Sequence, residues 1–504
     1  MEKKLLLWFC IGLLALEVGL GWRYVGGSML LGDQLDQLLQ FAQLLREGKA
    51  QALYGPWMSG TNPIAYNFGP IFSMSLGTLS AMGLNPDLCH AFCMIVIAAA
   101  VASFTYVLGS GTERERCLAV ILAALMVATA AFQESLSFIW VNLWLPSACL
   151  LTAASMIACI HRPSVNGVLR TLAVWLLGMH LHSVAVIGLP MVAGAACSVW
   201  RARKGAALPK GVKATTWLLL AVACLPYAVA EIWSHFSNTK AMYLHITRHD
   251  HPPGHETGLS NALDSLIQTA VVIGLLIKGQ TQQLWLWLAG SFATLRIIRG
   301  VWKLHHRRET ASDYLWLCLP AVLLLQAGYH ILVNRQLTSF HYFIYPTLFY
   351  WLPWAEIPTT ILMALPIKHS PFRFATACLL AAFVALSPLQ RLPSVTPEFA
   401  FKPMLKAVNS LCAGRGPVRG YNSMGFENGV GLAYHTNVAE FLIKYYSACS
   451  FNAHAPTMLV PRLPSQGEFP KTLEADGTIY RFVEALPPRI ALYQAIPAAE
   501  SRGG

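Results

Sequence analysis

Two carboxylates just beyond the first apolar run are the residues best placed for chemistry. Asp33 and Asp36 open the stretch 32–48, in which Leu35, Leu38, Leu39 and Ala42 follow the i, i+3, i+4, i+7 spacing and Leu45 continues it. That spacing predicts an amphipathic helix suited to lying along a membrane surface. Asp33 falls in its first turn, where the helix dipole favours negative charge, and Gly48 suits its end. A carboxylate here can accept a proton from a hydroxyl. The same residues also read as an N-cap (Asp33) and a solvated position (Asp36).

Other groups invite the same question. Arg335 stands alone between two apolar runs and offers a planar fork to an oxyanion, or anchors the chain at an interface. His180 and His182 flank Leu181 at the end of an apolar run. The stretch 245–256 carries His245, His249, His251 and His255 with Asp250 and Glu256. Imidazole suits Zn, Cu, Fe or Ni, so His249, His251 and His255 are candidate ligands of a divalent metal, although their spacing matches no defined metal box. The alternative is a substrate-covering loop in which Lys240 and Arg248 attract anionic lipid heads.

Long apolar elements must position these residues. The chain has 504 residues, 55% hydrophobic and 12% charged, and a mean hydropathy of +0.49. Soluble domains carry about 25% charge, so much of this surface does not face water. The net charge of +12 does not indicate nucleic acid, because Lys and Arg lie in short clusters between apolar runs, with no zinc-finger spacing and no basic helix. Apolar runs fall at 5–22, 88–109, 117–132, 141–160, 168–181, 184–199, 214–232, 282–299, 313–333, 341–363 and 372–388. They predict an all-α polytopic membrane protein with about eleven transmembrane helices, the stretch 261–277 being either interfacial or a further crossing. No A-x-A-like cleavage site follows the first run, which reads as an uncleaved helix. Glu17 lies inside it, and an intramembrane carboxylate is a functional candidate by default.

The positive-inside rule gives a direction. With a cytoplasmic N-terminus, the inner loops collect Lys3, Lys4, Arg114, Arg116, Arg162, Arg170, Arg201, Arg203, Lys204, Lys303, Arg307, Arg308, Lys368 and Arg373. The outer loops keep few basic residues. Two outer loops are long, about 23–87 and 233–281, and long loops tend to be functional or disordered. An odd number of spans leaves residues 391–504 outside, as a domain distinct from the membrane part, 1–390. This tail is more polar, with turn residues at 414–417, β-like runs at 478–483 and 490–493, and a helix expected near 434–447. It reads as a small α/β extracytoplasmic domain, in which Cys412 and Cys449 could form a disulfide. The cysteines inside apolar runs, such as Cys93 and Cys149, read as small hydrophobes.

The order of these features resembles the GT-C superfamily of membrane glycosyltransferases, which use sugars carried on polyprenyl phosphates. The layout is related to protein mannosyltransferases and aminoarabinose transferases. The resemblance rests on a first helix, an acidic residue just after it (Gly32-Asp33), an amphipathic helix (Phe41 to Gly48), and the approach Tyr66-Asn67-Phe68-Gly69-Pro70 to a second helix. The turn Leu177 to Ser183 leading to Pro190, the segment Arg335 to His341 with Tyr345 and Pro346, and the outer C-terminal domain continue it. The chain departs from the pattern in two places. Asp33-Gln34 replaces an Asp-Glu common in the family, and Tyr66-Asn67-Phe68-Gly69-Pro70 replaces a Tyr-Pro-Pro-like element.

The resemblance implies sugar transfer from a polyprenyl-phosphate donor to a glycan, lipid or protein acceptor, with inversion, at the outer face of a bacterial inner (plasma) membrane. The phosphate leaves readily, so one carboxylate can suffice, unlike the pair used by hydrolases. Asp33 is then the base, with Asp36 the fallback. Arg335, His180, His182, Arg248 and Lys240 are the donor-phosphate candidates. Tyr54, Tyr66, Asn67, His341 and Tyr345 are the groove candidates. No cofactor is implied beyond the candidate metal. Two other readings fit a polytopic chain with large outer loops: an O-antigen ligase or polymerase, and a transporter or flippase. A transporter predicts related halves around a midplane site, and the sequence shows no such repeat.

Overall fold

The computed structural model describes residues 2–22, 57–58, 66–67, 71–82, 85–128, 144–203, 211–233, 235–237, 239–240, 282–333, 345–367, 369–386, 401–421, 439, 442–443, 447–461, 468–475, 477–487 and 490–496. Helices dominate. In chain order they are α1 (Glu2–Trp22), α2 (Ile71–Ala81), α3 (Pro86–Gly109), α4 (Glu113–Val127), α5 (Leu145–His161), α6 (Val165–Met179), α7 (Leu189–Arg203), α8 (Ala214–Trp233), α9 (Gln282–His305), α10 (Ala311–Val333), α11 (Thr347–Ala364), α12 (Ser370–Leu386) and α13 (Phe401–Cys412). A 3-10 turn, Ser183–Gly188, joins α6 to α7.

Each apolar run read from the sequence overlaps one of these helices. Among the described residues, four segments are long and apolar enough to cross a membrane: Glu2–Trp22, Pro86–Gly109, Val184–Arg203 and Ala214–Trp233. Their outward faces stay apolar. Along α8, Trp217, Leu218, Val222, Leu225, Val229, Ile232 and Trp233 are all exposed, as are Phe372, Leu379 and Phe383 on α12. Faces of this size need a non-aqueous neighbour, and the chain is an integral, multi-pass membrane protein.

Local signals set the helix boundaries. Asn85 caps α3 by accepting from the Leu88 N–H at 3.0 Å, with Pro86 at the first helical position. Thr112 and Glu115 form a reciprocal capping box, so α4 begins at Glu113, four residues before the apolar run expected at 117. Ser164 caps α6 through the Gly167 N–H at 3.1 Å. The run expected at 184–199 divides into the 3-10 turn and α7, and the one expected from 341 becomes helical at Thr347. Pro226, Pro320, Pro353 and Pro358 lie inside helices, which neighbouring helices tolerate in an apolar bundle. The ambiguous stretch 261–277 lies outside the described residues.

Packing gives the bundle two distinguishable ends. Leu6 lies beside Gly109, and Met94 beside Gly21, so α1 and α3 run antiparallel. α4 packs on α11 and α12, α5 on α3, α6 and α7, and α8 on α6. Phe72, Phe104, Trp316, Tyr345, Phe349 and Phe374 are the largest side chains fully enclosed in this core.

The C-terminal part is a five-stranded sheet backed by α13. Its strands are β3 (Val418–Gly420), β4 (Thr457–Pro461), β5 (Thr472–Ala475), β6 (Thr478–Leu486) and β7 (Ile490–Ala495), in the order β3-β4-β7-β6-β5. Only the β3–β4 pair is parallel, and β6 carries an irregularity between Phe482 and Glu484. Alternation sorts the strands' side chains: Leu459, Ile490 and Leu492 face α13, while Met458, Val460 and Tyr493 build a second cluster. The expected β-like runs fall in β6 and β7. In α13, Met404, Ala407, Val408 and Leu411 form the buried stripe, each large side chain contributing roughly 1.5–3 kcal/mol by leaving water. The helix expected near 434–447 is represented by Ala439, Leu442 and Ile443, which are helical and join the same cluster. Cys412 and Cys449 are joined in a disulfide, Cα to Cα 6.0 Å.

Candidate functional site

The C-terminal sheet adjoins the end of the bundle where α1 finishes. Lys402 Nζ on α13 lies 3.1 Å from Asp87 Oδ2 in the first turn of α3, and that turn stands at the Trp22 end of α1 because the two helices are antiparallel. The chain leaving Trp22 toward Asp33 therefore departs from the end that carries the sheet. Two short strands precede α2, namely β1 (Trp57–Met58) and β2 (Tyr66–Asn67). They pair antiparallel with Trp57 opposite Asn67 and Met58 opposite Tyr66. Tyr66 and Asn67 thus belong to a ribbon shortly before α2, a helix not anticipated from its short, Ser- and Thr-interrupted sequence.

Three predicted residues pack at or against the turn between α6 and α7. His180 follows the last residue of α6, and its Nε2 lies 2.5 Å from the Ala223 carbonyl of α8. Tyr227 closes on the His180 ring edge-on at 6.2 Å. His182 Nδ1 accepts from the Val184 N–H at 3.0 Å and so caps the 3-10 turn. Trp175 Nε1 donates to the Ala185 carbonyl at 2.8 Å. Tyr345 is 1% exposed and lies against Gly188, where a Cβ would overlap its hydroxyl and meet Trp175 at 3.0 Å. Both histidines and Tyr345 are therefore packed inside the bundle. Each imidazole serves a backbone group.

Glu17 is fully buried, and neither carboxylate oxygen has a hydrogen-bond partner among the described residues. It sits little more than one turn before Trp22, at the same end. Lys240 is exposed, in the turn after α8, and its N–H donates to the Phe236 carbonyl at 2.9 Å. The α8 carboxylate Glu231 holds that turn by accepting from the Thr239 N–H at 3.2 Å.

The opposite end, where α1 begins, holds a connected set of charges. Arg114 Nη2 donates to Glu356 Oε1 at 2.5 Å and to Thr360 Oγ1 at 2.7 Å. Arg296 Nε stands 3.0 Å from the same Glu356 oxygen, and Arg296 Nη2 stands 3.6 Å from Asp313. Lys303 Nζ reaches both Asp313 oxygens at 2.8 and 3.1 Å. Glu356 and Asp313 have no exposed side-chain surface. Four helices, α4, α9, α10 and α11, are tied by this network, and Trp316 adds a cation–π contact to Arg296 at 5.9 Å. Around it, Arg373 pairs with Glu113 at 2.6 Å and Arg116 with Glu2.

The chain is similar in structure to ArnT from Cupriavidus metallidurans. Against the crystal structure of that protein bound to undecaprenyl phosphate, the TM-score is 0.49 at 12% identity, over 97% of this chain and 98% of the other. Against its apo state the TM-score is 0.47 at 11% identity, over the same shares. No protein-family model and no curated protein matches the chain.

The remaining predicted residues lie outside the described residues: Asp33, Asp36, Tyr54, Arg248, His249, His251, His255, Arg335 and His341. Among the described residues, no group of three or more His, Cys, Asp or Glu could hold a metal ion. Sequence reasoning missed Arg296 and Glu356. Their signal was present, since each is an ionisable residue within an apolar run, at 282–299 and 341–363.

Proposed function

We propose that this protein is a membrane glycosyltransferase of the GT-C type. It moves a sugar from a polyprenyl-phosphate donor to an envelope glycan, lipid or protein acceptor at the outer face of a bacterial inner membrane. Asp33 takes the acceptor's proton, Asp36 standing behind it as a second carboxylate. Arg335 binds the departing phosphate, with Arg248 and Lys240 drawing the anionic donor toward the surface. The observation that carries this reading is positional. The acidic, amphipathic stretch 32–48 follows α1 in the sequence, and α1 finishes at the end of the bundle where the C-terminal sheet adjoins α3 through Lys402 and Asp87. The buried network of Arg114, Arg296 and Lys303 with Glu356 and Asp313 lies at the opposite end.

The requirements of the reaction support the assignment. A base must reach the acceptor hydroxyl, a cation must meet the charge that develops on the phosphate, and both partners must be held together away from water. Asp33, just beyond the first apolar run, and Arg335, alone between two apolar runs, are the residues we assign to the first two. The test is sugar transfer by the purified protein in lipid, with a panel of polyprenyl-phosphate sugars, for the wild type beside Asp33→Asn. Transfer by the wild type alone supports both the base and the class. Equal transfer by both moves the base to Asp36. A wild type that moves a lipid without transferring sugar refutes the enzyme reading in favour of a transporter.

A further inference from the structure

The end of the bundle where α1 begins contains a cavity of about 1150 Å³ that the proposed transfer does not use. Lys3 of α1 lines it. α1 has 21 residues, so at about 1.5 Å per residue the cavity stands roughly 30 Å from the Trp22 end of that helix.

Charge distinguishes this cavity. Lys3, Arg162, Arg170 and Lys213 line it, and none has a carboxylate within ion-pair distance among the described residues. Their neighbours at the same end behave differently: Arg114, Arg116, Arg201 and Arg373 each hold a carboxylate. Two carboxylates do line the cavity, but both are engaged. Glu309 Oε1 accepts from Arg201 Nε at 2.9 Å. Glu115 accepts from the backbone N–H of Thr112 and of Ser312, each at 2.8 Å. Asn166 Oδ1 is occupied by the Lys213 N–H and the Thr216 hydroxyl, both at 2.8 Å, which leaves its NH₂ as a donor. Helices α4, α6, α8 and α10 all begin at this end, so the positive ends of their dipoles add to the four cations. The positive-inside rule accounts for cations on a face. It does not account for cations gathered, without a carboxylate partner among the described residues, in a concave site between helix ends.

We propose that this cavity binds a phosphate-bearing anion. The guanidinium forks of Arg162 and Arg170 and the ammonium groups of Lys3 and Lys213 supply charge and donors for phosphate oxygens. Two sources carry that chemistry, the headgroup of an anionic phospholipid from the adjoining leaflet and a soluble phosphate compound. The volume accommodates either.

The experiment uses the full-length protein in phosphatidylcholine nanodiscs, titrated with cardiolipin in one arm and with inorganic pyrophosphate in the other. Binding is read by native mass spectrometry and by the shift in unfolding temperature. Two double variants are compared with wild type. One, Arg162→Gln with Arg170→Gln, empties the cavity of its forks. The other, Arg307→Gln with Arg308→Gln, removes the same charge from the exposed surface of the same end. At about fivefold in affinity for each cation that meets the anion, the cavity pair is expected to weaken binding about 30-fold; Arg307 and Arg308 do not line the cavity, and their loss is expected to cost far less. Such a loss in the cardiolipin arm assigns a lipid headgroup, and the same loss confined to the pyrophosphate arm assigns a soluble phosphate. Equal losses in both variants, or no binding of either probe by wild type, overturn the proposal. Lys213→Gln, expected to cost about fivefold, provides the same test if the double variant fails to fold.

Discussion

At the end of the bundle where α1 begins, Arg114, Arg116, Arg201 and Arg373 each meet a carboxylate from elsewhere in the chain. At the end where α1 finishes, the polar side chains around the α6–α7 turn meet backbone instead. His180 lies against the Ala223 carbonyl, His182 accepts from the Val184 N–H, and Trp175 donates to the Ala185 carbonyl. Glu17 and the Tyr345 hydroxyl have no hydrogen-bond partner among the described residues. A buried ion pair becomes costly as soon as one member is removed, because the survivor is left charged in a poorly solvating site. A neutral contact to backbone costs less to lose. Stability is therefore concentrated in side chains at one end, while the proposed chemistry is concentrated at the other. Substitutions should separate accordingly.

The largest expected effect is on activity. Asp33→Asn should lower transfer by about 10²–10⁴-fold, the usual contribution of a general base, without shifting the unfolding temperature. If the variant loses stability in step with activity, Asp33 is a cap and the functional contrast between the ends disappears. Next is Glu356→Ala, which removes the carboxylate that Arg114 and Arg296 share, leaves Thr360 and Asp313 as their partners, and should destabilise the protein by about 3 kcal/mol. Replacing the group by apolar residues, as in Arg114→Met, Arg296→Met and Glu356→Leu together, should recover much of that loss, since a buried network can be exchanged for packing at little cost. Thermal unfolding in lipid checks both. A single variant as stable as wild type would show that the network holds nothing together.

A medium effect is expected at the α6–α7 turn. Gly188→Ala places a methyl group against the Tyr345 hydroxyl and Trp175, and overpacking of this kind costs about 1–3 kcal/mol. Tyr345→Phe in the same chain should restore part of it by removing the oxygen that the methyl meets. Failure of that rescue would locate the strain in the 3-10 backbone rather than at the tyrosine.

The same two ends differ in how far the sequence could be read. The helices were legible because an apolar run of about 20 residues has few alternatives in a membrane. Where boundaries slipped, local chemistry decided them. Thr112-Glu113-Arg114-Glu115 is a capping box, yet Arg114 and Arg116 read as loop cations because only hydropathy was followed. α13 was missed although Met404, Ala407, Val408 and Leu411 keep helical spacing, since a short amphipathic segment leaves only a weak hydropathy signal. The ion network was half legible. Arg296 and Glu356 could be flagged as charges in apolar runs, but which cation meets which carboxylate depends on how α4, α9, α10 and α11 pack, and no local pattern encodes that. His182 shows the converse. Two histidines at a bilayer boundary suggest a phosphate ligand, whereas capping needs only one of them and depends on a 3-10 turn that hydropathy cannot distinguish from helix.

The smallest effect sharpens the comparison most. Lys402 is the described cation that links the C-terminal sheet to the bundle, and its side chain is 66% exposed while that of Asp87 is 5% exposed. An ion pair with one exposed member is worth at most about 1 kcal/mol. Asp87 also sits in the first turn of α3, where the helix dipole continues to favour its charge once the lysine has gone. Lys402→Met should therefore leave the unfolding temperature of the bundle almost unchanged and reduce hydrogen-exchange protection only in α13 and the adjoining strands. Raising salt to 1 M shortens the screening length to about 3 Å, so the wild type should then exchange like the variant, while the buried network around Glu356 stays insensitive. If Lys402→Met instead destabilises the bundle as much as Glu356→Ala, or if salt loosens both ends alike, the division of labour between a charged end and a chemical end fails.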